Sequence, residues 1–282
     1  MPSKIILSDE ERQKILNLYN IEKKSVRSIS KLFNYSYTVI YRVIKESGVP
    51  IRGNGFTARK YEYDIHFFDV IDTEEKAYWL GFMYADGYVT IRGNTMQMCL
   101  TLSTNDKGHL EKFKKSLKSN LTIRDYVSNT TFASNTRYSR LTVSNNHICE
   151  QLIKKGCTRN KTNVVTFPTS DVVPNHLVHH FIRGYFDGDG CLTGSRHKKR
   201  DVFVYQIKIM GTKEFLEVLH EKLPVNRTLY LRQRYDDMKS NNWCLEIGGK
   251  KQVESILNYM YKDATIYLDR KMDAFKKFQQ LA

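Results

Sequence analysis

Two aspartates, Asp86 and Asp189, close two segments that nearly repeat each other. The first reads Trp79-Leu80-Gly81-Phe82-Met83-Tyr84-Ala85-Asp86-Gly87; the second reads Ile182-Arg183-Gly184-Tyr185-Phe186-Asp187-Gly188-Asp189-Gly190. Each is an apolar, helix-like run with a small residue in its middle and Asp-Gly at its end. The aspartates lie 103 positions apart (189 − 86), about one small domain. A duplicated half-domain ending in an acid suggests one centre built at a pseudo-two-fold axis. A carboxylate at a helix C-terminus meets the negative end of the dipole, and two such carboxylates repel further. Bound Mg²⁺ would relieve both problems, since it takes oxygen ligands and holds water readily. One Asp-Gly alone reads as a turn after a helix. Two in matched contexts, in a strongly basic chain, point to function.

The elements that position these acids follow from the same runs. Residues four apart share a helix face, which places Ala77, Gly81 and Ala85 in one stripe and His180, Gly184 and Gly188 in the other. Small side chains let two helix backbones approach closely. A glycine inside a helix costs about 1 kcal/mol against alanine, and close packing of the two helices is the natural offset. Gly87 and Gly190 stand where helix must turn into strand, a place that favours left-handed backbone angles.

The remaining pattern repeats in order. In the first copy a helix from Glu75 to Ala85 precedes a hairpin, Tyr88 to Thr90 and Thr95 to Leu102, turning at Arg92-Gly93-Asn94. A helix from Asp106 to Leu117, strands Leu121 to Val127 and Tyr138 to Val143, and a helix from Ile148 to Lys155 follow. The second copy has a helix from about His176 to Phe186, then strands Cys191 to Thr193 and Val202 to Ile209. Next come a helix from Thr212 to Leu223, strands Leu229 to Tyr235 and Trp243 to Ile247, a helix from Val253 to Tyr261, and a last helix from about Leu268. The order αββαββα, met twice, argues duplication more strongly than either motif alone.

The chain has 282 residues and a formal net charge of +15, with a sequence pI near 9.5. Its Lys and Arg residues are spread along the whole length. A folded, broadly basic protein most often binds nucleic acid, and an anionic membrane surface ranks second. No long amphipathic basic helix of the membrane-surface type is present, and no run reaches membrane-spanning length. Ser8-Asp9-Glu10-Glu11 interrupts any leader-like apolar start, so the expected location is cytoplasmic or an organelle matrix. The five cysteines are scattered, with no CxxC pair, which argues against zinc and a disulfide framework and for buried free thiols.

Residues 1–50 read as a small all-helical module. Ser8 to Glu11 has capping-box form. One helix carries Ile15, Leu16 and Tyr19; a second, capped by Ser25, carries Val26, Ile29 and Phe33; a third carries Val39, Ile40, Val43 and Ile44 and stops at Gly48 and Pro50. The tight turn at Asn34-Tyr35-Ser36 gives a helix-turn-helix pattern. Thr38, Arg42 and Lys45 lie on the polar face of the third helix, where phosphate and base-edge contacts need such reach. A bundle with a merely solvated basic face is the plainer alternative. Residues 51–72 read as a linker, with Arg59 and Lys60 placed to lie along DNA or simply to tether.

Residues 73–282 resemble the single-chain LAGLIDADG homing endonucleases, on the strength of the two motifs above. The resemblance implies an α+β fold of two pseudo-symmetric αββαββα halves, residues 73–166 and 167–282, forming a saddle on double-stranded DNA. It implies that the motif helices pack through Gly81, Ala85, Gly184 and Gly188, and that Asp86 and Asp189 bind two or three divalent ions, Mg²⁺ with Mn²⁺ as a substitute. The earlier acidic position of the motif is Asp187 in the second copy and Tyr84 in the first. Basic residues near the scissile phosphates would be Lys161, in Gly156-Cys157-Thr158-Arg159-Asn160-Lys161-Thr162, and Lys271, in Leu268-Asp269-Arg270-Lys271. Thr101 and Lys208 fall at what read as matched strand positions, and Lys250 is a weaker candidate. Gln97, Thr142, Gln206, Lys208, Arg232 and Arg234 are candidate DNA contacts from the strands, and Arg196, Lys198, Lys199 and Arg200 from a hairpin loop.

The expected activity is site-specific hydrolysis of both DNA strands by a monomer. The rival class is a catalytically silent DNA-binding regulator or an intron RNA maturase on the same fold. Such relatives usually lose the acids, and both acids are here. An intein would need Cys or Ser at its start and His-Asn near its end; Met1-Pro2 and Gln279-Gln280-Leu281-Ala282 argue against it.

Overall fold

A computed structural model describes residues 7–22, 24–51, 61–130, 133–158, 163–197, 202–226, 228–233 and 241–281. The chain divides into two compact units, Met1–Glu62 and Tyr63–Ala282. Residues 63–72, read from sequence as part of a linker, thus belong to the second unit.

The first unit holds α1 (Asp9–Asn20), α2 (Val26–Phe33) and α3 (Tyr37–Glu46). The capping box at the head of α1 is formed: the Ser8 amide donates to Glu11 Oε2 at 3.0 Å and the Glu11 amide donates to Ser8 Oγ at 3.2 Å. Asn34 ends α2 in the left-handed region at φ 53°, and Ser36 caps α3. Ile15, Tyr19, Ile29, Ile40, Val43 and Ile44 close a core between the three helices. Burial of that apolar stripe, rather than propensity, holds such short helices.

The second unit contains the αββαββα order twice. The first copy is α4 (Glu74–Ala85), β1 (Gly87–Arg92), β2 (Thr95–Ser103), α5 (Lys107–Ser116), β3 (Arg124–Thr130), β4 (Ala133–Ser144) and α6 (Asn146–Lys154). The second is α7 (Val178–Asp189), β5 (Gly190–His197), β6 (Val202–Gly211), α8 (Lys213–Lys222), β7 (Leu231–Gln233), β8 (Trp243–Gly248) and α9 (Lys250–Tyr261), followed by α10 (Asp269–Leu281). Each copy makes one antiparallel four-stranded sheet, ordered β1-β2-β4-β3 and β5-β6-β8-β7. α7 starts two residues later than the periodicity predicts, because a short 3₁₀ turn occupies Asn175–Leu177.

Period-two alternation assigns the faces of the sheets. Met98, Leu100, Leu102, Leu141 and Val143 are buried in the first half, as are Tyr205, Ile207, Ile209, Leu245 and Ile247 in the second. The opposite face carries Gln97, Thr101, Arg140 and Thr142 in one half and Gln206, Lys208 and Glu246 in the other. Register corrects one expectation. Gly87 pairs with Leu100 and Gly190 with Ile209, so Lys208 corresponds to Cys99, and Thr101 to Met210. Thr101 and Lys208 are therefore not matched. The hairpin β5-β6 is longer than β1-β2, so counting along the chain loses a register that antiparallel pairing keeps. Gln97 and Gln206 are true counterparts, opposite Thr90 and Thr193.

No helix among the described residues is long and apolar enough to cross a membrane. Four cysteines are buried free thiols, but Cys191 is exposed on β5, contrary to the expectation for all five.

Candidate functional site

The centre is built by the packing of α4 on α7. A Cβ added at Gly81 would overlap the Phe181 carbonyl and sit 2.9 Å from the Tyr185 nitrogen. One added at Gly184 would overlap the Tyr78 carbonyl and sit 2.9 Å from the Phe82 nitrogen. The two glycines meet the partner helix reciprocally, as a two-fold axis requires. Further along, an added Cβ at Gly188 would overlap that of Ala85 and lie 2.9 Å from Asp86 Oδ2. At the end where the acids stand, the α7 backbone at Gly188 thus lies against the Ala85 and Asp86 side chains. His180, one turn before Gly184, also faces the start of α4: its Nδ1 lies 3.9 Å from Glu74 Oε1 and 2.9 Å from Arg183 Nη1.

Asp86 caps α4 and Asp189 is the last residue of α7; both are half-buried. Both carboxylates act on Tyr185 of α7. Burial raises its hydroxyl pKa well above the ordinary value, and the charges of Asp189 and Asp86 both raise it further. Gly87 and Gly190 do not adopt the left-handed angles expected of them: among the described glycines with positive φ are Gly48, Gly93, Gly156 and Gly249. Gly190 is extended, at φ −98° and ψ 162°. Crowding is what requires glycine there, since a Cβ at Gly87 would overlap the Met83 side chain and one at Gly190 the Phe186 ring.

Lys271 enters from the first turn of α10. It is 7% exposed and donates to the carbonyl oxygens of Gly190 and, at 3.4 Å, Phe186. Burial, then Arg270, pulls its pKa down, while Asp187, Cys191 and Asp86 push it up. An ammonium on the Phe186 carbonyl of the last turn of α7 and on the Gly190 carbonyl, where β5 begins, offsets the negative helix end beside Asp189. Lys161, its expected counterpart, lies outside the described residues.

Asp187 is fully buried and accepts from the Tyr78 hydroxyl at 2.6 Å, the Leu268 amide at 2.7 Å and the Tyr261 hydroxyl. Desolvation raises its pKa despite these three donors. Arg183, also buried, donates to Glu74 Oε1 at 2.6 Å and to the Met260 and Ile266 carbonyls at 2.8 and 3.0 Å. Both clamps tie α4 of the first half to the second half. The sequence gives no sign of them, because each partner is distant along the chain.

The open sheet faces are polar networks. In the first half Arg140 Nε donates to Thr101 Oγ1 at 2.9 Å, and its guanidinium lies over the rings of Tyr126 and Tyr138. Gln97 Nε2 donates to Ser144 Oγ at 2.9 Å. In the second half one carboxylate gathers several side chains: Glu246 accepts from Gln206 Nε2 at 3.0 Å and from Cys244 Sγ at 3.9 Å, and pairs with Lys208 at 3.4 Å and Arg232 at 3.6 Å. Sequence reasoning found Gln206, Lys208 and Arg232 but missed Glu246 and Arg140; the alternation of 138–143 was the available signal for Arg140.

The sequence matches a helix-turn-helix domain over residues 6–47 and a LAGLIDADG-like domain over residues 73–154 and again 177–260, the latter more than half of the chain. The chain belongs to the LAGLIDADG family. No curated protein matches it in a sequence comparison. Among solved structures it is similar to the LAGLIDADG homing endonuclease I-LtrWI bound to target DNA, at 14% identity and TM-score 0.48, over 77% of this chain and 90% of that one. It is also similar to the meganuclease I-AabMI bound to uncleaved DNA, at 12% identity and TM-score 0.48, over 72% and 88%. I-SmaMI bound to cleaved DNA matches at 11% identity and TM-score 0.48, over 75% and 89%.

Within this LAGLIDADG chain the other candidate contacts are scattered. Arg196 is exposed on β5, while Lys198, Lys199, Arg200 and Arg234 lie outside the described residues, as do Arg59 and Lys60. On α3, Thr38 and Lys45 are exposed, and Arg42 Nε lies 3.9 Å from Glu46 Oε1. Lys250 begins α9 and is exposed.

Proposed function

We propose that this chain is a site-specific double-strand DNA endonuclease that hydrolyses phosphodiester bonds with Mg²⁺. The observation that carries the reading is the meeting of two half-buried carboxylates at the touching ends of α4 and α7, in a chain with two LAGLIDADG-like domains. The donor set suits a hard cation: oxygens only, at negative helix ends, with Lys271 offsetting one side. Asp86 and Asp189 would hold the ions, which when bound polarise phosphoryl oxygen and lower the pKa of water.

The protein's own part is positioning. Hydrolysis joins a water oxygen to phosphorus as one P–O ester bond breaks, and the leaving oxygen takes up a proton. Asp86 and Asp189 fix where that phosphorus sits, because their backbones cannot move apart without undoing the glycine packing. Lys271 places positive charge beside the site, and Lys161 is proposed for the same part in the first half. Gln97, Gln206, Lys208 and Arg232 present donors from the open sheet faces to base edges and phosphates. Thr38, Arg42 and Lys45 would add contacts from the helical unit, lengthening the recognised site.

The test is cleavage of a randomised duplex library with and without Mg²⁺, run beside Asp86→Asn and Asp189→Asn. Retained binding without cutting in both variants is the expected result. Wild-type binding with no metal-dependent cutting of any duplex would overturn the proposal in favour of a regulator.

A further inference from the structure

Three ligand-type side chains meet on the first half, away from the carboxylate centre. His66 Nδ1 lies 2.7 Å from Asp69 Oδ2, and His147 Nε2 lies 2.7 Å from Asp69 Oδ1. All three ligand atoms fall within 4.8 Å of one another. Local structure forces the grouping. Phe67 and Phe68 are buried at 3% and 0% exposure, so the turn that anchors them throws His66 and Asp69 outward on either side. The turn is held by the Asp69 amide on the His66 carbonyl at 2.9 Å and by Asp64 Oδ1 on the His66 amide at 2.9 Å. His147 comes from the first turn of α6, capped by Asn145. Lys155 Nζ is turned to the Asp69 main-chain carbonyl at 3.0 Å, which leaves both carboxylate oxygens to the imidazoles.

We propose that His66, Asp69 and His147 form a zinc site, distinct from the Mg²⁺ centre at Asp86 and Asp189. Two imidazoles and one carboxylate suit Zn²⁺ and are poor ligands for Mg²⁺. A tetrahedral ion with bonds of 2.0–2.1 Å needs its ligands about 3.3 Å apart, a distance that small side-chain rotations reach from the present grouping. Each neutral imidazole moves its N–H to its other nitrogen and offers the freed lone pair. The three protein ligands leave the fourth position to water. Side-chain exposures of 66% for His66, 32% for Asp69 and 37% for His147 give the ion a path in. The bound ion ties residues 63–72, which lead into α4, to α6, whose end leads into the stretch carrying Lys161.

The full chain, stripped by chelation and dialysed against Zn²⁺ in excess Mg²⁺, should retain one zinc per molecule. His147→Gln and Asp69→Asn should each weaken that affinity by more than about 100-fold. Asp86→Asn and Asp189→Asn should leave it unchanged. Co²⁺ in place of Zn²⁺ should give the intense visible bands of a tetrahedral ion. His66→Gln, at the most exposed ligand, guards against loss through misfolding, checked by an unaltered thermal midpoint of the metal-free protein. Failure to retain zinc, or full retention in the His147, Asp69 and His66 variants, overturns the proposal.

Discussion

Gly81→Ala isolates the packing that brings the two acids together. The added methyl must move the Phe181 carbonyl and the Tyr185 nitrogen, now 2.9 Å from its ideal position, out to ordinary contact. The helices must part by roughly 1 Å, and over-packing of this kind costs about 1–3 kcal/mol. Alanine returns about 1 kcal/mol of helix propensity, so the net loss of stability is about 0–2 kcal/mol. Catalysis should suffer more, since a displacement of about 1 Å at the reacting groups costs on the order of 100-fold in rate. Gly184→Ala should behave alike, because its added Cβ meets the equivalent backbone atoms of α4, the Tyr78 carbonyl and the Phe82 nitrogen. Gly108→Ala is the control: nothing lies within 4 Å of its added Cβ, and it sits in α5 without positive φ. Stability by denaturant titration, duplex affinity and single-turnover cleavage should be measured on all three. The expected pattern is intact affinity, slight destabilisation and cleavage slowed about 100-fold in the first two alone. Wild-type cleavage by Gly81→Ala and Gly184→Ala would refute the claim that this contact sets the carboxylates.

Removing one partner of the buried Arg183–Glu74 pair, as in Arg183→Met, should destabilise by about 3–5 kcal/mol; a double-mutant cycle with Glu74→Leu should recover part of it. His109 is buried beside Tyr78, with its pKa pushed down to about 3, first by burial and then by Lys112 and Arg270. Its unfolded form binds a proton near pH 6.5 while the folded form does not, so stability should fall on acidification from pH 6.5 to about 3, by up to about 1.4 kcal/mol per pH unit from this group. His109→Phe should flatten that slope in unfolding titrations at pH 4 to 6. Lys271→Met should slow cleavage by about 10²-fold or more with affinity kept; an unchanged rate would make Lys271 a helix cap alone. Glu246→Gln frees Lys208 and Arg232 and should relax base preference at the positions they face, read by cleavage of single-substitution target libraries.

Local pattern carried the fold a long way. The three N-terminal helices show in sequence because each cap and apolar stripe spans only a few residues. The duplicated αββαββα order shows because each half must bury one face of a sheet against its own helices, which imprints period two on strands and period 3.6 on helices. The acid pair shows because the same helix end is written twice. Strand register does not show in the sequence: counting along the chain puts Lys208 with Thr101, whereas the pairing within each hairpin makes Lys208 the counterpart of Cys99. Nor does the sequence show why glycine stands at 87 and 190: the Met83 and Phe186 side chains crowd these positions, and neither takes a left-handed turn.

Sequence by itself determined the charge, the two motifs, the helical module and the chemistry two carboxylates invite. Only the tertiary structure decided that Lys271 turns inward to the end of α7, that Asp187 joins Tyr78, Tyr261 and Leu268, that Glu246 gathers Gln206, Lys208 and Arg232, and that His66 and Asp69 face His147. The physical reason is the same each time. Contacts between residues many positions apart leave no periodic mark on the chain, and they come into being only when sheets and helices close on one another.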